Sequence, residues 1–134
     1  MPRVSVTRLR LRARRFLPAF LWDALRSGRQ AKGADGCFGV NLRRSGGAFW
    51  TVTLWRDAAA MRAFMLSGAH AKAMPKLARW CDEASVTHWE QDGRIPPTWA
   101  EAEGHLAAAG RTSRVDFPSP AHAAGKTLGT LART

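Results

Sequence analysis

A β-hairpin near the middle of the chain limits the possible folds more than any other feature. The segments "GCFGVNLRR" and "AFWTVTLWR" both alternate with a period of two, and Ser45, Gly46 and Gly47 separate them. Alternation on both sides of a short glycine connection predicts two antiparallel strands. In the second strand, Phe49 and Trp55 share one parity, while the other parity carries Trp, Val and Leu. Both faces of this sheet must therefore be covered.

Helical periodicity is present on both sides of the hairpin. Leucines recur every four residues from Leu17 to Leu25 and predict a buried stripe on a helix that ends before Gly33. After the hairpin, Asp57 is predicted to cap a helix that Gly68 ends, and a further helix follows over "HAKAMPKLARWCDEA". Strand patterns open the chain in "VSVTRLRLR" and recur in "VTHWEQDG". The predicted order is β-α-β-β-α-α-β.

The opening strand changes its apolar phase along its length. Val4 and Val6 share one parity, whereas Leu9 and Leu11 share the other. Such a switch predicts either a β-bulge or a strand that is covered on both faces.

The C-terminal part is predicted to add one helix and a tail. A Pro-Pro turn precedes a short helix from about Trp99 to Ala109, and "GRTSRVDFPSP" is predicted to be extended. Farther on, alanine, glycine and threonine dominate, with few apolar side chains to pack. We therefore expect one domain over residues 1–120 and a flexible tail over residues 121–134.

The chain is strongly basic, which raises the question of a polyanion partner. Its 21 lysines and arginines against 10 acidic residues give a formal charge of +11, and residues 1–44 hold eleven of the basic side chains. A basic region is the usual footprint of nucleic-acid binding. Most of these residues are arginines in an alanine-rich chain, and no nucleic-acid module accompanies them, so a compositional bias is the preferred explanation.

The cysteines and the N-terminal region indicate the compartment. Cys37 and Cys81 have no CxxC or Cys/His spacing that predicts a metal site, and they are interpreted as free thiols in a reducing compartment. Arg14 and Arg15 precede an apolar run, as in a twin-arginine signal, but the run stops at Asp23 and is too short for a membrane span. A cytoplasmic protein without a membrane span is expected.

The βαββαβ order is that of the ferredoxin-like fold, an antiparallel sheet with helices on one face. The segments "FWTVTLWRDAAAMRAFMLSGAHAKAM", "WCDEASVTHWEQ", "PTWAEA" and "GRTSRVDFPSP" resemble the dimeric α+β-barrel superfamily of the antibiotic-biosynthesis monooxygenases. More narrowly, they resemble the spheroidene-monooxygenase-like group over about residues 3–120. A homodimer that closes two sheets face to face is expected to cover the second face.

This resemblance implies oxygen chemistry on an apolar substrate held between the sheet and the helices. Some members of the superfamily need no cofactor, because their substrate itself gives an electron to dioxygen, whereas others bind haem through a histidine. In the haem-degrading branch, that histidine falls about one helical turn beyond His70, near Met74. The implied cofactor is therefore either none or haem.

His70 is the first candidate catalytic residue. It begins a helix just after Gly68, and its imidazole is the side-chain type that titrates near neutral pH. It also shares a helical face with Met74. His70 is interpreted either as an acid-base or oxygen-orienting group or as a helix-start residue that satisfies a backbone group.

Large apolar side chains are the candidate pocket walls. Six tryptophans give a small domain more flat aromatic surface than a minimal core requires, and such surface suits a planar or polyene ligand. The predicted pocket residues are Trp50, Trp55, Phe64, Met74 and Trp80. For the tryptophans, a place in the core or at a dimer interface is the preferred alternative.

Three polar residues complete the candidates. Asn41 interrupts a hairpin strand and is a candidate catalytic partner if it points into the cavity, or an edge residue if it does not. Arg56 follows a strand end and is placed at the pocket rim, as a solvated charge or an anion-binding group. His88 is assigned a structural role in the fourth strand.

Together these features favour a homodimeric monooxygenase-like protein that binds an apolar or aromatic compound. A non-catalytic ligand-binding or regulatory protein of the same fold is the alternative, and a basic nucleic-acid-binding protein is a third hypothesis.

Overall fold

The chain folds around one antiparallel sheet, and the computed structural model describes residues 1–130. Its elements are β1 (Arg3–Leu11), a 3-10 turn (Arg14–Phe16), α1 (Leu17–Lys32), β2 (Cys37–Ser45), β3 (Ala48–Trp55), α2 (Ala58–Met65), α3 (Gly68–Trp80), β4 (Cys81–Glu90), α4 (Trp99–Ala109), β5 (Arg111–Thr112) and α5 (Pro120–Ala123). The five strands lie in the order β2-β3-β1-β4-β5. This is the predicted ferredoxin-like α+β fold, with β5 added at one edge.

The local signals in the sequence position the hairpin and the start of the second helix as predicted, but that helix ends at Met65, and Gly68, predicted to end it, begins α3. Gly46 and Gly47 connect β2 to β3 with φ angles of +59° and +77°, which is the backbone of a tight hairpin turn. The carboxylate of Asp57 accepts a hydrogen bond of 2.8 Å from the backbone amide of Ala60 and caps α2. Of the two predictions for the opening strand, coverage on both faces is confirmed, because Val4 and Val6 pack on one face and Leu9 on the other. A register shift in the β1–β4 pairing comes only later, between Arg10 and Leu11.

Helix α4 covers part of the sheet face opposite α1, α2 and α3. This second face is an apolar cluster made by Val4, Val6, Ala48, Trp50, Val52, Leu54, Ala102 and Leu106. The helix begins with a capping box between Thr98 and Glu101, and the ring of its His105 stacks on Trp89 of β4 at 3.7 Å. The face that was expected to need a second copy is therefore partly covered by the same chain.

Helix α1 is rotated away from the predicted leucine stripe. Phe20 and Ala31 are buried, whereas Leu21 and Leu25 are 46% and 48% exposed. The buried side follows the aromatic and small residues, because these allow close packing above the sheet. No helix within residues 1–130 has both the length and the apolarity that a membrane crossing requires.

The boundary between α3 and β4 differs from the predicted one. The helix ends at Trp80, and Cys81 already has extended backbone angles of φ −102° and ψ 145°. The residues that were predicted as its last turn, through Ala84, belong to β4 and pair with β1. Long-range strand pairing therefore overrides the helical spacing of their apolar side chains.

The chain beyond residue 120 packs back on the protein as far as Thr130, where fraying was expected. The backbone amide of Thr130 donates hydrogen bonds of 3.1 and 3.0 Å to the two carboxylate oxygens of Glu83. Leu128 packs against the second-face cluster, and the backbone carbonyl of Thr127 accepts a 2.6 Å hydrogen bond from Ser85. Residues 131–134, the last part of the predicted tail, lie outside the described residues.

Candidate functional site

A cavity of about 320 Å³ lies between the sheet and the helices, where the resemblance placed a substrate. Its floor is the sheet face that carries Ser5, Thr7, Leu9, Thr51, Thr53, Trp55, Val86 and His88. Its roof is formed by side chains of α1, α2 and α3, among them Phe20, Ala24, Met61, Phe64, His70, Ala73 and Met74. This volume is at the lower end of the range for pockets that enclose drug-sized ligands.

Strand register makes the floor polar beneath an apolar roof. Ser5 of β1 pairs with Thr53 of β3 on one side and with His88 of β4 on the other, while Thr7 pairs with Thr51. Paired residues project to the same side of a sheet, so these side chains form two adjacent polar rows. A bound molecule therefore contacts hydroxyls and an imidazole below and apolar side chains above.

The junction of α2 and α3 is held in place by Gln30 of α1. Its side-chain amide nitrogen donates a hydrogen bond of 2.8 Å to the backbone carbonyl of Ser67. Its side-chain oxygen accepts a hydrogen bond of 2.9 Å from the backbone amide of His70. Gly68 between them has φ +59°, and a Cβ there would approach the Gln30 side chain to about 3.0 Å. The glycine thus permits a contact that fixes the start of α3, where His70 lies.

One nitrogen of the His70 ring is hydrogen-bonded within residues 1–130, and the other is not. Nδ1 lies 3.2 Å from the backbone carbonyl of Met65, and a carbonyl can only accept, so Nδ1 carries the proton. Burial lowers the pKa of His70, although the hydrogen bond to Met65 opposes this. The imidazole is therefore neutral near pH 7, and Nε2, which bonds to none of residues 1–130, is a proton acceptor.

An aromatic series connects His70 to the core. Trp55, which is fully buried, stacks on Phe64 with ring centroids 5.0 Å apart, and Phe64 lies 4.6 Å from the His70 ring. The indole nitrogen of Trp55 donates 2.8 Å to the hydroxyl of Thr53 on the cavity floor. These contacts restrain the His70 ring on one side, because each aromatic ring is packed against the next.

Four of the predicted site residues line this cavity. They are His70, Trp55, Phe64 and Met74. Met74 is 46% exposed and lies toward the mouth, whereas Phe64 is buried. The structure thus brings together the candidate base and three of the predicted pocket walls, and their functional roles stay predictions.

Asn41 and Trp50 do not reach the cavity, which corrects their predicted positions. Asn41 pairs with Val52, a second-face residue, and it is exposed on the edge strand β2. Trp50 belongs to the apolar cluster on that second face, beneath α4. Since side chains alternate along a strand, a shift of one residue changes the face, and Val40 and Leu42 line the cavity instead.

Trp80 and Arg56 also lie outside the cavity lining. Trp80 is buried at the end of α3, where the ammonium group of Lys76 lies 5.8 Å from its ring. The guanidinium of Arg56 is 3.4 Å from the carboxylate of Asp35 and 3.5 Å from that of Asp57. Arg56 is thus a paired surface charge that borders a second, more open depression and does not line the main cavity.

His88 is the cavity residue that sequence interpretation missed. It lines the floor, its Nε2 is buried, and this nitrogen has no hydrogen-bond partner among residues 1–130. Burial lowers the pKa of His88, and the nearby charges of Arg3 and Arg111 lower it further. Alternation within "VTHWE" shows which residues share a strand face with His88. Only its pairing with Ser5 shows that this face is the one covered by the helices.

Asp23 is the one carboxylic acid among the described lining residues. It lies on α1, and its carboxylate oxygen accepts a hydrogen bond of 3.1 Å from the ammonium group of Lys76 on α3. This ion pair joins the two roof helices and neutralises the carboxylate. The candidate proton acceptors within the cavity are therefore the two histidines.

Comparison with known proteins identifies the family. The profile of DUF3291, described as a domain of unknown function, matches residues 13–125. The chain belongs to the DUF3291 family. A comparison with curated protein sequences finds no significant match.

Solved structures show which fold this DUF3291 chain shares. Rv0793 from Mycobacterium tuberculosis matches with a TM-score of 0.61 and 22% identity, over 69% of this chain and 97% of that one. An antibiotic biosynthesis monooxygenase matches with a TM-score of 0.60 and 13% identity, over 69% and 100%. SnoaB, a cofactor-independent oxygenase from Streptomyces nogalater, matches with a TM-score of 0.58 and 13% identity, over 72% of this chain and 98% of SnoaB. The DUF3291 chain thus has the α+β fold of antibiotic biosynthesis monooxygenase-like proteins.

Proposed function

We propose that the protein is monooxygenase-like: it binds an apolar or aromatic small molecule in the cavity and oxygenates it. The observation that carries the proposal is His70, whose free Nε2 lies at the apolar roof opposite a hydroxyl-bearing floor. The names of the monooxygenase and oxygenase structures that share the fold support the same reaction class. Fold similarity by itself defines no substrate.

The proposed chemistry begins with proton transfer to His70. Its neutral Nε2 accepts the proton of a substrate hydroxyl, which leaves an electron-rich anion that gives electrons to dioxygen. The overall reaction balances when a CH₂ group next to the aromatic ring becomes a carbonyl. One oxygen atom enters the substrate, the other leaves as water with the two hydrogens, and the substrate supplies all four electrons.

The dimensions of this cavity suit a compact ligand better than haem. Its volume of about 320 Å³ is at the lower end of the range for pockets that enclose drug-sized ligands. Met74, the position that the resemblance relates to a haem ligand, presents a half-exposed thioether. The cofactor-free branch therefore fits the residues better.

The finer assignments are part of the same proposal. Membership in the spheroidene-monooxygenase-like group, a cytoplasmic location and a homodimeric state fit the sequence pattern. A homodimer has structural support, because exposed apolar side chains lie on α1 and near the cavity mouth. These are Leu21, Trp22, Leu25, Leu42 and Met74, each at least 46% exposed.

Dithranol tests the proposal, because it combines an apolar ring system, hydroxyls and one activated CH₂ group. We expect mass spectrometry to show gain of one oxygen and loss of two hydrogens, with label from isotopic dioxygen. His70→Gln should slow turnover ~10²-fold or more while binding persists. His105→Gln, on the opposite sheet face, is the matched control.

Each outcome separates the hypotheses. Binding of dithranol without turnover by the parent would favour the non-catalytic binding protein. Equal turnover by His70→Gln and the parent would return His70 to its interpretation as a helix-start residue. Absence of both binding and turnover for a panel of hydroxylated aromatics would contradict the proposal.

A further inference from the structure

One end of the cavity carries positive charge, chiefly that of Arg111. Arg111 of β5 and Arg114, which follows it, line the cavity beside His88. At the other side, the charges of Asp23 and Lys76 neutralise one another at 3.1 Å. The cavity is therefore electrostatically polarised, with its positive end at β4 and β5.

Strand register places the basic groups around one point. His88 pairs with Ser5, and Arg3 lies two residues from Ser5 on the same face of β1. On the other side of β4, Arg111 pairs with Val86, two residues from His88. His88 is therefore a diagonal neighbour of both arginines, a separation of about 7–8 Å between backbones that long side chains can span.

Two nitrogens at this point lack partners. Arg3 Nε and His88 Nε2 are both buried, and neither has a hydrogen-bond partner among residues 1–130. Nor do Arg3 and Arg111 form an ion pair within those residues; Glu90, opposite Arg3 in the pairing, is exposed and forms none. A guanidinium nitrogen is always a donor, and a buried donor without an acceptor is unfavourable, so an acceptor supplied near Arg3 and His88 by a ligand stabilises this arrangement.

The backbone that carries the arginines is fixed. The amide of Ser113 donates 2.8 Å to the carbonyl of Ala84, and the carbonyl of Ser113 lies 2.8 Å from His122 Nε2. The amide of Asp116 donates 2.8 Å to the carbonyl of Ala78. The segment is thus held to β4 and α3, so the positive end is a built feature of the cavity.

We infer that the ligand of this cavity carries one oxyanion, such as a carboxylate or phenolate, on its apolar or aromatic body, and that Arg111 and His88, which line the cavity, receive it, with the charge of Arg3 beside His88. The inference rests on the proposed function and narrows its substrate class. The apolar roof holds the body of the molecule, while the charged end orients it beneath His70. Arg114 is less available, because its guanidinium lies 3.7 Å from the carboxylate of Asp116.

Two dyes with one aromatic framework test the inference. Anilinonaphthalene sulfonate carries an anionic group, and N-phenylnaphthylamine lacks it. We expect the parent to bind the sulfonate more tightly, and Arg111→Gln to weaken that binding about tenfold without changing affinity for the neutral dye. Arg62→Gln, which removes the same charge from an exposed site on α2, should change neither affinity.

Blocking the cavity separates this inference from the proposed function. Ala73→Phe and Ala24→Phe should each reduce the binding of both dyes, because they fill the roof. If these variants bind both dyes like the parent, the cavity is not the binding site and both proposals fail. Two other outcomes would contradict only the oxyanion inference. The first is that these variants block binding but the parent binds both dyes equally tightly. The second is that Arg62→Gln weakens binding of the sulfonate dye as much as Arg111→Gln does.

Discussion

His70 and His88 line opposite walls of one cavity, the first at the start of α3 and the second on strand β4. His70 commits Nδ1 to the carbonyl of Met65, whereas His88 keeps a buried Nε2 without a partner among residues 1–130. One imidazole is thus oriented by the protein, and the other is left for a ligand to satisfy. This difference is the basis for assigning proton transfer to His70 and ligand orientation to His88.

Both cavity histidines should titrate below the ordinary histidine range. Burial is the main cause of the lowered pKa of each ring, with the charges of Arg3 and Arg111 added at His88. NMR titration of labelled histidines, assigned with His70→Gln and His88→Gln, measures these values. Unfolded histidines take up protons first, so both groups should make the folded state less stable as the pH falls through about 6.5.

A pKa of His70 at or above the ordinary value would contradict the buried, neutral ring. The same titration with anilinonaphthalene sulfonate present should raise the pKa of His88, because an adjacent anion favours the imidazolium form.

The protein should be a homodimer in solution. Light scattering at micromolar concentration should give twice the 14.7 kDa mass of the chain. Leu25→Glu should shift the protein toward monomer, because it places a charge on the exposed apolar side of α1. Leu66→Glu, at a side chain that is 74% exposed on another surface, should leave the dimer intact. A parent mass of about 15 kDa would contradict the prediction.

Glu83 should be a major determinant of stability at neutral pH. Burial would raise its pKa, but hydrogen bonds from Ser119, Thr130 and Arg8 outweigh burial and lower the pKa to about 2. Arg8 and Glu83 are both buried, with their ion pair at 2.9 Å. Glu83→Gln leaves the Arg8 charge uncompensated and should reduce the free energy of unfolding by about 3–5 kcal/mol.

The sign of the pH effect follows from the lowered pKa. In the parent, the contribution of Glu83 is present above about pH 4.5 and is lost as the pH falls toward 2. Urea unfolding across this range should show that loss in the parent and not in Glu83→Gln. Asp116→Asn, at a half-exposed carboxylate, is the control and should reduce the free energy of unfolding far less than Glu83→Gln does.

Nucleic-acid binding should be weak despite the formal charge of +11. Anisotropy of a labelled DNA duplex should show binding at low salt that is lost by about 0.2 M salt, because only diffuse phosphate contacts contribute. Tight binding that survives such salt would instead favour the polyanion-binding hypothesis.

Local patterns were sufficient to predict the hairpin, the approximate places of the main helices and strands, and the fold class. The glycine pair at 46 and 47 requires positive φ angles and so makes the hairpin turn, and Asp57 caps α2 as its side-chain chemistry predicts. Among the predicted site residues, His70, Trp55, Phe64 and Met74 line the cavity, and their roles there stay predictions. These features depend on neighbours in the chain, so the sequence carries them directly.

Tertiary structure decided which side chains share the cavity. Asn41 faces the second sheet face because of strand register, and His88 reaches the cavity floor for the same reason. The rotation of α1 exposes Leu25, and Gln30 reaches across to the backbone of His70. By itself, the sequence determined the hairpin turn, the helix caps and the approximate places of most strands and helices. Register, helix rotation and contacts between distant residues determined the site, because each depends on packing energies that no local window of sequence contains.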